Sequence, residues 1–184
     1  MTGETCRMRF IPTTLKDAVL IEAEPREDHR GWFERTFCEE EMAKAGLATR
    51  FVQHNSSYNH AVGTLRGMHY QRSPHAEVKV ITCTRGRIHD VIIDLRPDSP
   101  TYMKWEGFDL RAGDHRQLYI PEGFAHGYLT LEDATAVSYL VSTAYTPGAE
   151  GGVRWDDPTF GIAWAGGVSV ISEKDAAWPD YTPG

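Results

Sequence analysis

Gly113-Asp114-His115-Arg116-Gln117-Leu118-Tyr119-Ile120-Pro121-Glu122-Gly123-Phe124-Ala125-His126-Gly127 is the stretch on which the fold turns. A short strand-forming run, Gln117–Ile120, stops at Pro121 and Gly123, and His126 follows three residues after the glycine. Proline removes a backbone donor and glycine accepts positive φ, so the pair turns the chain rather than extending it. The same grammar repeats outward in both directions. Runs rich in β-branched and aromatic residues at Val19–Ala23, Trp32–Phe37, Phe51–Asn55, Val78–Thr84, Arg87–Leu95, Tyr102–Leu110 and Ala134–Ala144 are separated by glycine and proline. Short strands with frequent turns predict an all-β sandwich or barrel. Arg85-Gly86-Arg87 reads as a tight hairpin turn with Gly86 at positive φ, which makes the sheet antiparallel. Cys38–Ala45 is the one good helix, with Glu39, Glu40 and Glu41 in its first turn and Gly46 as a left-handed cap. A second short helix is expected around Lys174–Ala177. From Tyr145 onward the chain reads as loop, punctuated by Pro147, Pro158, Pro179 and Pro183. No βαβ alternation, GxGxxG or GxxxxGK[ST] is present.

The 184 residues suit one domain, 1–184, with 1–8 expected as a flexible N-terminal extension and Met8 as an alternative start. Nineteen basic against 26 acidic residues give a net charge of −7. That argues against a broad nucleic-acid surface and leaves any anionic ligand to a local basic cluster. No apolar run approaches the roughly 20 residues that span a bilayer. The first seven residues lack the apolar core of a signal peptide. Cys6, Cys38 and Cys83 are odd in number and far apart, which fits a reduced cytoplasmic setting better than a disulfide framework.

On a strand, Leu65, Gly67, His69 and Gln71 share one face, and Gly67 leaves room beside the histidine for another backbone or a ligand. The Pro-x-Gly-x-x-His pattern at 121–126 resembles the second motif of the cupin barrels. Metal-binding cupins supply two further histidines as His-x-His, whereas this chain has His69-Tyr70-Gln71. A metal site needs three or four convergent ligands, so a bound metal is not expected.

Asp28-His29-Arg30-Gly31-Trp32-Phe33-Glu34, Gln53-His54-Asn55, Gly63-Thr64-Leu65-Arg66-Gly67-Met68-His69-Tyr70-Gln71 and Lys79 carry a more specific resemblance. It continues through Asp90-Val91-Ile92-Ile93-Asp94-Leu95-Arg96, Ile120–Gly127, Tyr139 with Tyr145, and Ser172-Glu173-Lys174-Asp175. Taken in order, these stretches resemble the dTDP-4-dehydrorhamnose 3,5-epimerase family. The resemblance implies an all-β cupin or jelly-roll barrel of antiparallel strands with few short helices. It also implies cofactor-independent inversion of stereocentres beside the 4-keto group of a nucleotide-linked hexose.

By the same resemblance, His69 is the base, Asp175 its orienting carboxylate, Tyr139 the acid on the opposite face, and Lys79 a cation at the ketone oxygen. Arg30 and Arg66 are expected on the diphosphate, with Trp32 or Phe33 near the nucleotide base. Gln53, Asn55, His126 and Tyr145 are expected to complete substrate binding. Val137, Tyr139, Val141, Thr143 and Tyr145 share strand parity, which would point both tyrosines inward. The family implies a homodimer that exchanges an N-terminal strand and brings Arg30 to the partner's ligand, with neither nucleic acid nor membrane as a partner.

Three features depart from the family pattern. Glu77 stands where relatives often carry glutamine, His89 stands at a position often apolar or aromatic, and Ser57–Val62 holds one inserted residue. The alternatives are an epimerase of a single centre, C3 or C5, a non-catalytic sugar-nucleotide-binding cupin, and a metal-dependent cupin oxygenase.

Overall fold

The computed structural model describes residues 7–183. Its strands are β1 (Met8–Pro12), β2 (Val19–Ala23), β3 (Arg26–Asp28), β4 (Gly31–Phe33), β5 (Gln53–Asn59), β6 (Thr64–Gln71) and β7 (Lys79–Arg85). They continue as β8 (Arg87–Asp94), β9 (Trp105–Arg111), β10 (Arg116–Ile120), β11 (Phe124–Thr130), β12 (Thr135–Val141), β13 (Glu150–Gly152) and β14 (Val170–Ile171). Two short helices, α1 (Glu39–Lys44) and α2 (Glu173–Ala176), complete the secondary structure. One six-stranded sheet runs β1-β2-β10-β7-β12-β5. The other runs β13-β6-β11-β8-β9, with β14 also on β6, and β3–β4 form a separate two-stranded hairpin. From β5 onward nearly every connection crosses from one sheet to the other, so the strands close into a jelly-roll barrel.

This alternation corrects one expectation. Gly86 does take a positive φ of 75°, but Arg85-Gly86-Arg87 is not a hairpin. β7 pairs with β10 and β12, whereas β8 pairs with β9 and β11. The turn passes the chain across the barrel instead. Pairing is antiparallel throughout except between β14 and β6.

Alternating side chains explain why both sheets bury two faces. Ile88 and Ile92 of β8 point inward with Ile81, Leu110, Leu118, Ile120, Phe124 and Val137. Val91 and Ile93 of the same strand point outward onto Met68, Ala125, Val153 and Phe160. Each such side chain contributes about 1.5–3 kcal/mol on burial. The segment after Tyr145, although poor in strands, forms the cover of this second face through Val153, Phe160, Ile162, Trp164 and Tyr181. The outer face of the first sheet is covered by Met42 of α1, packed with Met8, Ile21, Val78, Val80 and Tyr119. Helix α1 begins after Cys38, ends at Lys44 with Ala45 as its C-cap, and is followed by Gly46 at φ 73°, as its sequence predicts. Glu41 also accepts from the Met8 backbone N–H at 2.8 Å. Met8 is therefore a buried part of β1 rather than of a flexible extension. Residues 1–6 of that expected extension, with Cys6, lie outside the described residues.

Two boundaries differ usefully from expectation. The Trp32–Phe37 run is strand only to Phe33. The last long strand ends at Val141, so parity places Tyr139 inward but does not reach Thr143 or Tyr145.

Candidate active site

The inward-facing apolar cluster fills part of the barrel. Beside it lies a cavity of about 170 Å³ lined by Ser57, Arg66, His69, Lys79, His126, Tyr128, Tyr139 and Asp175. The two sheets contribute opposite walls. Lys79 on β7 and Tyr139 on β12 come from the first sheet, and Arg66 and His69 on β6 with His126 on β11 come from the second.

Arg66 and His69 are three residues apart, and an ideal strand would point them to opposite faces. A bulge brings both inward. His69 lies opposite His126 and Arg66 opposite Tyr128, so three steps along β6 answer two along β11. The expected common face of Leu65, Gly67, His69 and Gln71 is therefore broken at Gly67. The space left by that glycine, at φ 120°, is taken by the β11 backbone.

His69 Nε2 lies 2.6 Å from Asp175 Oδ1. The other oxygen, Oδ2, accepts the Gly67 backbone N–H at 3.1 Å. Asp175 arrives on α2, whose N-cap Ser172 accepts from the Asp175 backbone N–H. The open edge of β6 explains the arrival: β14 covers Thr64–Leu65, β13 covers His69–Gln71, and the Asp175 carboxylate fills the gap between them. Burial pushes the Asp175 carboxyl upward, but the hydrogen bond and charge of His69 and the Gly67 N–H outweigh it and hold it below the usual carboxylate range.

His126 makes a second such pair. Its Nε2 lies 2.9 Å from Asp90 Oδ1 and 3.1 Å from Oδ2, with Asp90 fully buried on β8. Lys79 Nζ lies 3.0 Å from Glu77 Oε1. Arg66 lines the cavity with its Nε donating to Asn59 Oδ1 at 2.8 Å and its Nη2 to Tyr58 O at 3.4 Å. Tyr128 is bonded to Ser57 at 2.8 Å, and burial raises its phenol above the ordinary value against the bonds to Ser57 and Asn59.

Six of the expected residues thus meet in one cavity: His69, Asp175, Tyr139, Lys79, Arg66 and His126. Asn55 lies opposite Tyr139 on β5. Gln53 Oε1 accepts from the Tyr145 backbone N–H at 3.3 Å, and the Tyr145 side chain is exposed, bonding Glu150 at 3.4 Å. Arg30 and Phe33 do not line the cavity. They sit on the exposed β3–β4 hairpin, where Arg30 pairs with Asp28 at 2.5 Å and Phe33 is 68% exposed. Sequence reasoning missed Asp90, Ser57 and Tyr128. Ser57 continues the parity of Gln53 and Asn55, and Tyr128 that of His126, so period two was the available signal. Gln71, at the place of the missing metal histidine, is occupied by protein: it donates to His75 O and accepts from Thr146 N. Among the described residues, no three His, Cys, Asp or Glu side chains are grouped to hold a metal ion.

A basic imidazole backed by a carboxylate faces a phenol across the cavity, with Lys79 nearby. Such an array can remove a proton from carbon, stabilise an oxyanion and return a proton from the other face. The comparisons agree with this chemistry. The family model described as dTDP-4-dehydrorhamnose 3,5-epimerase matches residues 12–182. The chain is 44% identical over 173 residues to the dTDP-4-dehydrorhamnose 3,5-epimerase of Methanothermobacter thermautotrophicus, covering 92% of each chain. It is similar to the crystal structure of the Bacillus anthracis enzyme with TDP and pyrophosphate bound, with a TM-score of 0.92, 40% identity, and 95% of this chain and 100% of that chain covered. The Legionella pneumophila enzyme in complex with dTDP-4-keto-L-rhamnose superimposes with a TM-score of 0.87 at 34% identity, covering 96% of this chain and all of that one.

Proposed function

The chain belongs to the dTDP-4-dehydrorhamnose 3,5-epimerase family, and from this we propose that it converts dTDP-4-dehydro-6-deoxy-D-glucose to dTDP-4-dehydro-L-rhamnose without a cofactor. The observation that carries the reading is the His69–Asp175 pair on one wall and Tyr139 on the opposite one. His69 takes the proton from C3 or C5, and the electrons of the broken C–H bond move onto the 4-keto oxygen as an enolate. Lys79 and His126 stabilise that oxygen, and Asp175 compensates the imidazolium. Tyr139 then protonates the same carbon from the other face. Exchange with solvent restores the Tyr139 phenol and the neutral His69. Arg66 takes the diphosphate, and Gln53, Asn55 and Tyr145 complete the mouth.

These groups come from the two-sheet barrel and from α2 and the Ala144–Thr146 turn beside it, which supports reading residues 1–184 as a single catalytic domain. The chain acts as a homodimer in which the N-terminal β3–β4 region is exchanged, with Arg30 on the partner's diphosphate and Phe33 near its base. The exposure of that hairpin, which leaves the Trp32 and Phe33 rings largely uncovered, supports this arrangement. The free thiols Cys38 and Cys83 support a cytoplasmic setting.

Proton NMR in D₂O with a panel of nucleotide-linked 4-keto sugars tests the reading. Deuterium at both C3 and C5 with inversion at both is expected. Exchange at one carbon alone would make it a single-centre epimerase, and no exchange would leave a binding protein.

A further inference from the structure

Two donors converge on Glu77, at the edge of the cavity. Lys79 Nζ lies 3.0 Å from its Oε1, and the Gln71 side-chain amide donates to its Oε2 at 3.2 Å. The Lys79 and Glu77 side chains are each only 13% exposed, so water is a poor substitute for either contact. Gln71 cannot turn to relieve a conflict. Its Oε1 accepts from Thr146 N at 2.8 Å, and its Nε2 also serves His75 O at 3.1 Å and Ala144 O at 3.3 Å. In this chain residue 77 therefore accepts on both terminal atoms. A carboxylate does so. A glutamine carries one acceptor and one NH₂, and would turn that NH₂ against either the ammonium of Lys79 or the amide of Gln71.

We propose that Glu77 is a positioning residue for the epimerisation. It holds the Lys79 ammonium at the cavity wall and, through Gln71, ties it to the Ala144–Thr146 turn that carries Tyr145. The inference rests on the reading of Lys79 as the cation at the ketone oxygen. A lysine has a long stem with much rotamer freedom to lose, and a cation stabilises a developing enolate best when it is already in place. The carboxylate supplies that placement at the sugar end. The same carboxylate sets the height of the turn at the mouth, so the two ends of the substrate are referenced to one side chain.

The experiment compares Glu77→Gln and Lys79→Met singly and together, with TDP binding and melting temperature measured on each. Glu77→Gln is expected to lower kcat roughly 10- to 100-fold, the loss of one charged hydrogen bond, while TDP affinity stays within about twofold. In the Lys79→Met background the same change is expected to alter kcat by less than about twofold, because Glu77 acts through the lysine. Equal losses in both backgrounds, or an unchanged kcat in Glu77→Gln, overturn the proposal. Should Glu77→Gln fold poorly, Glu77→Asp keeps both acceptor oxygens, and activity well above that of Glu77→Ala is expected. Activity no better than Glu77→Ala counts against it. A readout independent of turnover is the ¹⁵N resonance of the Lys79 Nζ, expected to move in Glu77→Gln. A resonance that stays in place overturns the inference, whereas an inactive wild type overturns only the functional reading.

Discussion

Gly67 on β6 and Gly127 on β11 face each other so closely that a Cβ on Gly67 would lie 2.6 Å from the Gly127 Cα. A Cβ on Gly127 would in turn meet Met68 Sδ at 2.6 Å and the Arg66 carbonyl oxygen at 2.8 Å. The bulge that turns both Arg66 and His69 into the cavity is possible because neither residue has a side chain.

Gly127→Ala is therefore expected to cost about 1–3 kcal/mol of stability, since the atoms it would meet include backbone. It should also reduce isotope exchange by more than stability accounts for, because the bulge holds His69. Denaturant unfolding and D₂O exchange on the same sample check this. A variant with normal exchange and a normal unfolding midpoint would show that the two strands separate freely.

His69→Asn should abolish deuterium incorporation into substrate, with a loss on the order of 10²–10⁴ in rate or more. Tyr139→Phe should behave differently, retaining exchange of the proton handled by His69 while losing net inversion. Asp175→Asn should fall between them, since the amide can still face His69 without the charge. Near-normal turnover of His69→Asn would remove it as the base.

Acid should destabilise the fold through several groups, His89 and Asp175 among them. Burial lowers the His89 pKa, with Asp90 and Asp109 opposing. Its Nδ1 accepts the Ala165 N–H at 3.2 Å, in the segment that covers the second sheet. The unfolded chain thus binds this proton more readily than the native one. The stability is complete above about pH 6.5 and is lost as pH falls toward the lowered native value. Asp175, also lowered, extends the loss further into acid. Melting temperature across this range should drop less in His89→Asn than in the wild type. Parallel curves for the two would rule out His89 as a contributor.

Mixing Arg30→Ala and His69→Asn chains tests the exchanged hairpin. Each homodimer should be poorly active, with Arg30→Ala weakening nucleotide binding roughly 10- to 100-fold. A hybrid has one site with both wild-type residues if Arg30 acts across the dimer. Activity should then recover toward one competent site per dimer. Absence of recovery despite proven subunit exchange, or an active monomer by light scattering, would place Arg30 elsewhere.

Much of this protein is local in origin. Alternating apolar residues with glycine and proline punctuation determined an all-β fold. The acidic first turn and Gly46 determined α1, and motif order along the chain pointed to His69, Lys79, Tyr139 and Asp175. What the sequence could not decide is what depends on which strands become neighbours. Gly86 announces a turn equally well whether the chain returns to the same sheet or crosses to the other, because φ is local and pairing is not. The bulge at Gly67 reverses side-chain parity only because β11 supplies two residues against three. His126 finds Asp90 across adjacent strands, and His69 finds Asp175 from 106 positions away through a gap in the edge of β6. Such meetings are set by tertiary packing, which closes long loops at an entropic cost no local pattern records.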